Sequence, residues 1–135
     1  MIQMSLGLLI VRLVVGLLFV GHGAQKLFGW FGGYGPKGTG GFFESIGIKP
    51  GVAMAVIAGL LELVGGLLFA AGLLTTVGAI AIIATMLVAI IKVHGKNGLW
   101  STANGIEYHL VLIAIAVAVA LTGAGEFSLD AVLSK

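Results

Sequence analysis

"VAMAVIAGLLELVGGLLFAAGLLTTVGAIAIIATMLVAIIKV" (Val52–Val93) contains one acid, Glu62, and one base, Lys92, in an otherwise almost wholly apolar run. A membrane-spanning helix needs about 20 mostly apolar residues, because it rises 1.5 Å per residue across roughly 30 Å of hydrocarbon. The run is long enough for two spans, and the short turn "AGLLTT" divides it into 52–71 and 73–93. So short a connection makes the two an antiparallel hairpin. Pro50 stands just ahead of the first of them.

Two further segments on either side meet the same criterion, 4–28 and 106–122. The 135 residues are 59% hydrophobic and 9% charged, whereas a typical soluble domain is roughly 25% charged. So few charges cannot cover a water-facing surface, and the outside of the fold must meet a lipid bilayer. The expectation is a single integral membrane domain over 1–135. It is an all-α, four-helix transmembrane bundle with a Gly/aromatic-rich loop between helices 1 and 2. The net charge of +2 is small and its basic residues are dispersed, which leaves no footprint for nucleic acid. With no cysteine, disulfides, iron–sulfur clusters and a CxxC thiol relay are excluded for this chain. The N-terminus lacks a basic n-region and a small-residue cleavage site, and its apolar run continues past Arg12, unlike a signal peptide.

Four spans put the polar loops, 29–51 and 95–105, on one face, with the termini and the short turn on the other. Lys26, Lys37, Lys49, Lys92 and Lys96 crowd the loop face and only Lys135 lies opposite. The positive-inside rule then places the loops in the cytoplasm. "GYGPKG" forms a G-x-G-x-x-G at Gly33, Gly35 and Gly38. The dinucleotide fingerprint needs a preceding strand and a following helix, so these glycines read as turns. Trp30, Phe31, Phe42 and Phe43 fall at the interfacial belt. Small residues at i+4 spacing, Ala81, Thr85 and Ala89 on the third span and Ala114, Ala118 and Thr122 on the fourth, read as helix-packing faces.

Ionisable groups inside a span are costly and usually face a partner in the bundle. Arg12 and Glu62 lie near mid-membrane, about 10 and 13 Å from the termini face at 1.5 Å per residue. They are expected to form a structural ion pair locking helix 1 to helix 2. "RLVVGLLF" and "ELVGGLLF" match around them with the charge reversed, but apolar runs match too readily for this to establish an inverted repeat. At the loop face, His22 lies about 9 Å below the end of the first helix, with Lys26 one turn above it. "KVHG" (92–95) and "GIEYHL" (105–110) reach the same end. His22, Lys26, His94, Glu107, Tyr108 and His109 should therefore converge, with Asn104 and Trp100 above them. Lys92 and Lys96 read as lysines snorkelling to the headgroups. Imidazoles beside a carboxylate could ligate a metal, although no H-x₃-H pair exists. They could equally hold the two oxygens of a quinone and move its protons.

The motifs "GHGAQKLFGWFGGYGPKGTGGFFESIG", "AGLLELVGGLLFAAGLLT", "VHGKNGLW", "GIEYHL" and "FSLDAVL" resemble those of the DoxX family of bacterial membrane proteins. The resemblance spans nearly the whole chain and implies a four-span protein of the cell inner membrane. It carries His22, Lys26, Gly29, Trp30, Phe42, Phe43, Glu62, His94, Trp100, Glu107 and Tyr108 as motif positions. It also implies quinone-linked redox or oxidative-stress protection, and soluble partners of the superoxide dismutase or sulfurtransferase type. Any sulfur chemistry would belong to a partner or substrate.

The resulting expectation is a quinone-interacting redox component. His22 and Glu107 would hold and protonate the ring oxygens, and Lys26 would stabilise an anionic form. Trp30 or Trp100 would stack on the ring, while His94, Tyr108, His109 and Asn104 would complete the pocket. A flavin, haem or metal would have to come from a partner or a bound ligand. The competing expectation is a non-catalytic membrane module, either a small-molecule carrier or channel or an anchor for soluble redox proteins. Association with further copies of itself is left open.

Overall fold

The computed structural model describes residues 1–134. Its elements are all helical: α1 (Ile2–Phe28), α2 (Gly35–Ser45), α3 (Gly51–Ala71), α4 (Thr75–Ala89), α5 (Glu107–Thr122) and α6 (Leu129–Leu133). α4 continues through a π turn, Ile90–His94, and short 3₁₀ turns at Gly95–Asn97 and Ser101–Ala103 lead to α5. The helices from α1, α3 and α4 are long and apolar enough to cross a membrane, and α5 is a shorter apolar helix. Together they form a four-helix membrane bundle. Lys135, the one lysine expected on the termini face, lies outside the described residues.

The distribution of polarity is that of a protein in lipid. Ile10, Leu17, Leu67, Ile80 and Leu121 point outward, whereas Arg12 and Glu62 are only 1% and 7% exposed. Between the helices, Val15, Phe19, Phe69, Ile82, Met86, Leu112 and Val119 make one apolar core. Apolar surface gains nothing by leaving lipid, so close backbone approach has to hold the helices together. α1 and α3 achieve it with glycine. A Cβ at Gly16 would lie 2.6 Å from the Gly66 carbonyl oxygen, and one at Gly23 would lie 2.7 Å from that of Gly59. Gly23→Leu should therefore force the pair apart, lowering stability by about 1–3 kcal/mol as overpacking does. A detergent melting curve unchanged from wild type would refute this.

α4 packs on α3 through the same device near the tight turn, where a Cβ at Gly65 would meet the Ala81 methyl at 2.7 Å. The expected packing face on the fourth span is corrected by the structure. Ala114, Ala118 and Thr122 are exposed, and the buried line of α5 is His109, Leu112, Ala116 and Val119. α1 packs on α3, α3 on α4 and α4 on α5, but α5 touches α1 only slightly. The ring of helices is left incompletely closed between its first and last members.

The segment 29–51, expected to be a loop, contains α2. Its sequence GPKGTGGFFES has low intrinsic helix propensity, and tertiary contact supports it instead. A Cβ at Gly40 would lie 2.7 Å from the Val52 amide nitrogen, so α2 lies directly on the start of α3. Of the G-x-G-x-x-G glycines, expected to be turns, Gly35 and Gly38 belong to α2, and Gly33 precedes it against α1. A Cβ at Gly33 would strike the Gln25 backbone at 2.5 Å, and Gly35 has φ +67°.

α6 closes the opposite end. Asp130 accepts hydrogen bonds from the Leu74 and Thr75 amides at 2.8 and 3.0 Å and from the Thr75 hydroxyl at 2.6 Å. It thereby caps the exposed amides that begin α4. The Thr75 hydroxyl, the two amides and the positive charge of Arg12 hold the Asp130 carboxyl below the ordinary aspartate range. The folded carboxyl titrates below the unfolded one. Its contribution is therefore complete above the ordinary aspartate pKa and is lost as pH falls through the depressed value. Acid should accordingly free α6 before the bundle melts, making the last residues protease-sensitive. Asp130→Ala should show that sensitivity at neutral pH, with a loss of about 1 kcal/mol.

Candidate functional site

The expected Arg12–Glu62 pair does not form. Lys26 is the partner of Glu62, its Nζ donating to Oε1 and Oε2 at 3.0 and 2.8 Å. The glycine contacts seat Gly16 between Gly66 and Ala70 and Gly23 between Gly59 and Leu63, which sets Glu62 level with His22 and so separates it from Arg12 by about 15 Å along the axis. Direction adds to distance, because helical side chains lean toward their own N-terminus. Lys26 therefore leans down into the membrane and Glu62, on an antiparallel helix, leans up to meet it. Arg12 leans away, toward the end of α3. There it donates to the carbonyls of Phe69 at 3.2 Å, Ala70 at 3.1 Å, Phe127 at 3.0 Å and Ala124.

At the loop end, the gap between α1 and α5 is a cavity of about 390 Å³. Phe19, His22 and Lys26 of α1, Glu62 of α3, and Tyr108 and His109 of α5 line it, with His94, Asn104 and Ser101 above. The residues beneath the loop face thus meet around one space, and all three imidazoles reach it.

Two of the histidines are held alike and the third is not. His22 Nδ1 lies 3.2 Å from Gln25 Oε1, and the Gln25 amide nitrogen donates to the Phe31 carbonyl at 3.1 Å. That second bond fixes the amide, so its oxygen faces the ring. An amide oxygen only accepts, so Nδ1 bears the proton and the neutral ring keeps Nε2 as a free acceptor. His94 repeats the arrangement with Nδ1 2.8 Å from the Asn104 carbonyl oxygen. Its ring is tilted over that of His109, with centroids 4.4 Å apart. His109 is only 8% exposed, and its Nδ1 has no hydrogen-bond partner. A buried polar atom left unpaired is expensive, and the side chain that carries it lines the cavity.

Some expected site residues stand apart. Glu107 accepts from the Ser101 amide at 3.0 Å and does not line the cavity. It opens α5, where a carboxylate is drawn to the free amides of a helix start. Trp30 and Trp100 are 56% and 63% exposed and do not line this cavity. Trp30 packs on Phe28 instead, with centroids 4.8 Å apart. The carboxylate in the cavity is Glu62, which sequence reasoning had assigned to Arg12. Met86 and Phe19 were not anticipated, since an apolar wall in an apolar helix leaves no local signal. Among the described residues no three His, Cys, Asp or Glu side chains are grouped to hold a metal ion.

Four apolar helices, with a histidine-lined cavity toward their loop end, define a multi-pass membrane protein. The chain belongs to the DoxX family, whose model matches residues 7–95. It is 34% identical over 135 residues to "Uncharacterized membrane protein Rv3486" of Mycobacterium tuberculosis, covering 93% of this chain and 80% of that protein. It is also 32% identical over 131 residues to "Putative oxidoreductase CatD" of Bacillus subtilis, covering 97% of this chain and 90% of that one. No solved structure matches it.

Proposed function

We propose that this protein is a quinone-linked redox component of the cell inner membrane, binding the ring of a lipid-soluble quinone in the histidine-lined cavity. The observation that carries the reading is the meeting of His22, His94, His109 and the Lys26–Glu62 pair on one space, with His109 Nδ1 unpaired. The name of the Bacillus subtilis relative points the same way.

Reducing a quinone to a quinol takes two electrons and two protons. Imidazole titrates near neutral pH and can pass protons to the ring oxygens, and Glu62 replaces Glu107 as the carboxylate beside them. The Lys26 ammonium stabilises negative charge developing on oxygen. The two electrons would have to be supplied by a reductant carrying a flavin, haem or metal, either a partner at the loop face or a bound ligand.

Mass spectrometry of small molecules retained after gentle detergent extraction should find a lipid-soluble quinone. His22→Ala, His109→Ala and Glu62→Gln should each lower its retention at least tenfold, and Glu107→Gln should leave it within twofold. An empty protein that instead carries solute flux in liposomes would favour the carrier reading. Full retention in both histidine variants would remove the ring from this cavity.

A further inference from the structure

A second, larger cavity lies on the other side of the Lys26–Glu62 pair. It measures about 850 Å³ and is lined by the loop-end halves of α3 and α4 with α2 across the top. Its origin is the shape of the hairpin. α3 and α4 are held close near their turn by Gly65 and Gly78, and they part toward the loop face, where α2 fills the opening. The walls are Phe42 and Phe43 of α2, Ile57, Ala58 and Leu61 of α3, and Val88 of α4. Ile57, Leu61 and Val88 are each about half exposed. Ile57 and Leu61 lie about 9 and 15 Å below the start of α3, a depth at which their neighbours are hydrocarbon chains.

The two cavities adjoin at shared side chains. Lys26, Glu62, Met86, Ala89 and His94 line both. A single molecule occupying both must be polar at one end and apolar along the rest of its length. Ligand sites commonly run from about 300 to 1,000 Å³, so each volume is that of a real compartment. We infer that the apolar chamber takes the hydrocarbon chain of the ligand whose ring lies among the histidines, with the Lys26–Glu62 pair as the threshold between them. The inference rests on the ring-site reading above, and it narrows the substrate class to rings carrying a long apolar chain, entering sideways from the bilayer.

The test compares 2,3-dimethoxy-5-methylbenzoquinone with and without a decyl chain, bound to protein in nanodiscs of fixed lipid composition. Each ligand is read as the ratio of variant to wild-type affinity, so partitioning into lipid cancels. Ala58→Phe on α3 and Ala84→Phe on α4, both in the chamber lining, fill it from opposite walls (two variants, in case one fails to fold), and melting curves identify intact protein. Both should weaken binding of the decyl compound at least tenfold and change the chainless one less than twofold, whereas His22→Ala weakens both. Decyl binding that survives both chamber variants but falls in His22→Ala overturns the chamber and leaves the ring site standing. Equal loss of both ligands in the chamber variants also overturns it. Absence of binding by either compound to wild-type protein defeats ring site and chamber together.

Discussion

Arg12→Met should release the C-terminal segment from the bundle and lower the detergent melting midpoint by roughly 10 °C or more, a loss of about 3 kcal/mol or greater at the usual scale for small domains. Arg12 is 1% exposed and its guanidinium joins the end of α3 to the segment after α5, which Asp130 ties separately to the α3–α4 turn through Gly72, Leu74 and Thr75. Phe69 and Ala70 belong to the last turn of α3, whose carbonyls have no partner within the helix. Ala124 and Phe127 belong to the segment after α5, which must be brought back across the bundle. A charged donor contributes about 1.5–3 kcal/mol per hydrogen bond, although four on one side chain will not add independently. Methionine fills similar space but donates nothing, so the Ala70, Ala124 and Phe127 carbonyls lose the guanidinium while Phe69 keeps the Gly72 amide at 3.2 Å. Arg12→Lys should fall between, since an ammonium has three donors and no fork to span both partners. Proteolysis gives the local readout: cleavage after residue 123 should appear in Arg12→Met under conditions that leave wild type intact. A variant that melts normally and resists cleavage would mean the four hydrogen bonds are dispensable.

Hydropathy made the four apolar helices legible, because length and lack of charge alone require lipid around them. The short turn after Ala71 then placed both polar loops on one face, and that was enough to bring His22, His94 and His109 to the same end. Orientation was harder to read. The Arg12–Glu62 expectation compared backbone depths and ignored that side chains on antiparallel helices lean in opposite directions. Once that lean is included, Glu62 points up toward Lys26 and Arg12 points down toward the α3 terminus. Glu107 shows a different difficulty. A carboxylate at the first residue of a helix has the local amides as competing partners, and the Ser101 amide captures it. α2 was hidden because its glycines argue against a helix, and tertiary contact with α1 and with the start of α3 at Gly51 and Val52 supports it instead. The larger cavity depends on where α3 and α4 separate, which no periodicity records.

The corrected pairing gives opposite expectations for the two halves of one ion pair. Lys26→Met should cost about 3–5 kcal/mol, the usual consequence of leaving a buried charge without its partner. The Glu62 side chain is 8% exposed, and among the described residues no other cation is bonded to it. Glu62→Gln should be much milder in stability, although it lowers ligand retention. Lys26 has a 22% exposed side chain, sits in the last turn of α1, and can extend its ammonium toward the headgroups. The negative end of the α1 dipole also favours a cation there. Had Arg12 been the partner, Glu62→Gln would have stranded a guanidinium deep in the bundle and been the severe variant. The double variant Lys26→Met/Glu62→Leu removes both charges, and buried pairs replaced by apolar residues often lose little stability. It should therefore melt close to wild type while retaining no quinone. Equal damage from the two single variants, or a double variant as unstable as Lys26→Met, would show that Glu62 is neutralised by another group. Selective loss of binding in a stable double variant would separate the role of the pair at the cavity from its role in holding α1 to α3.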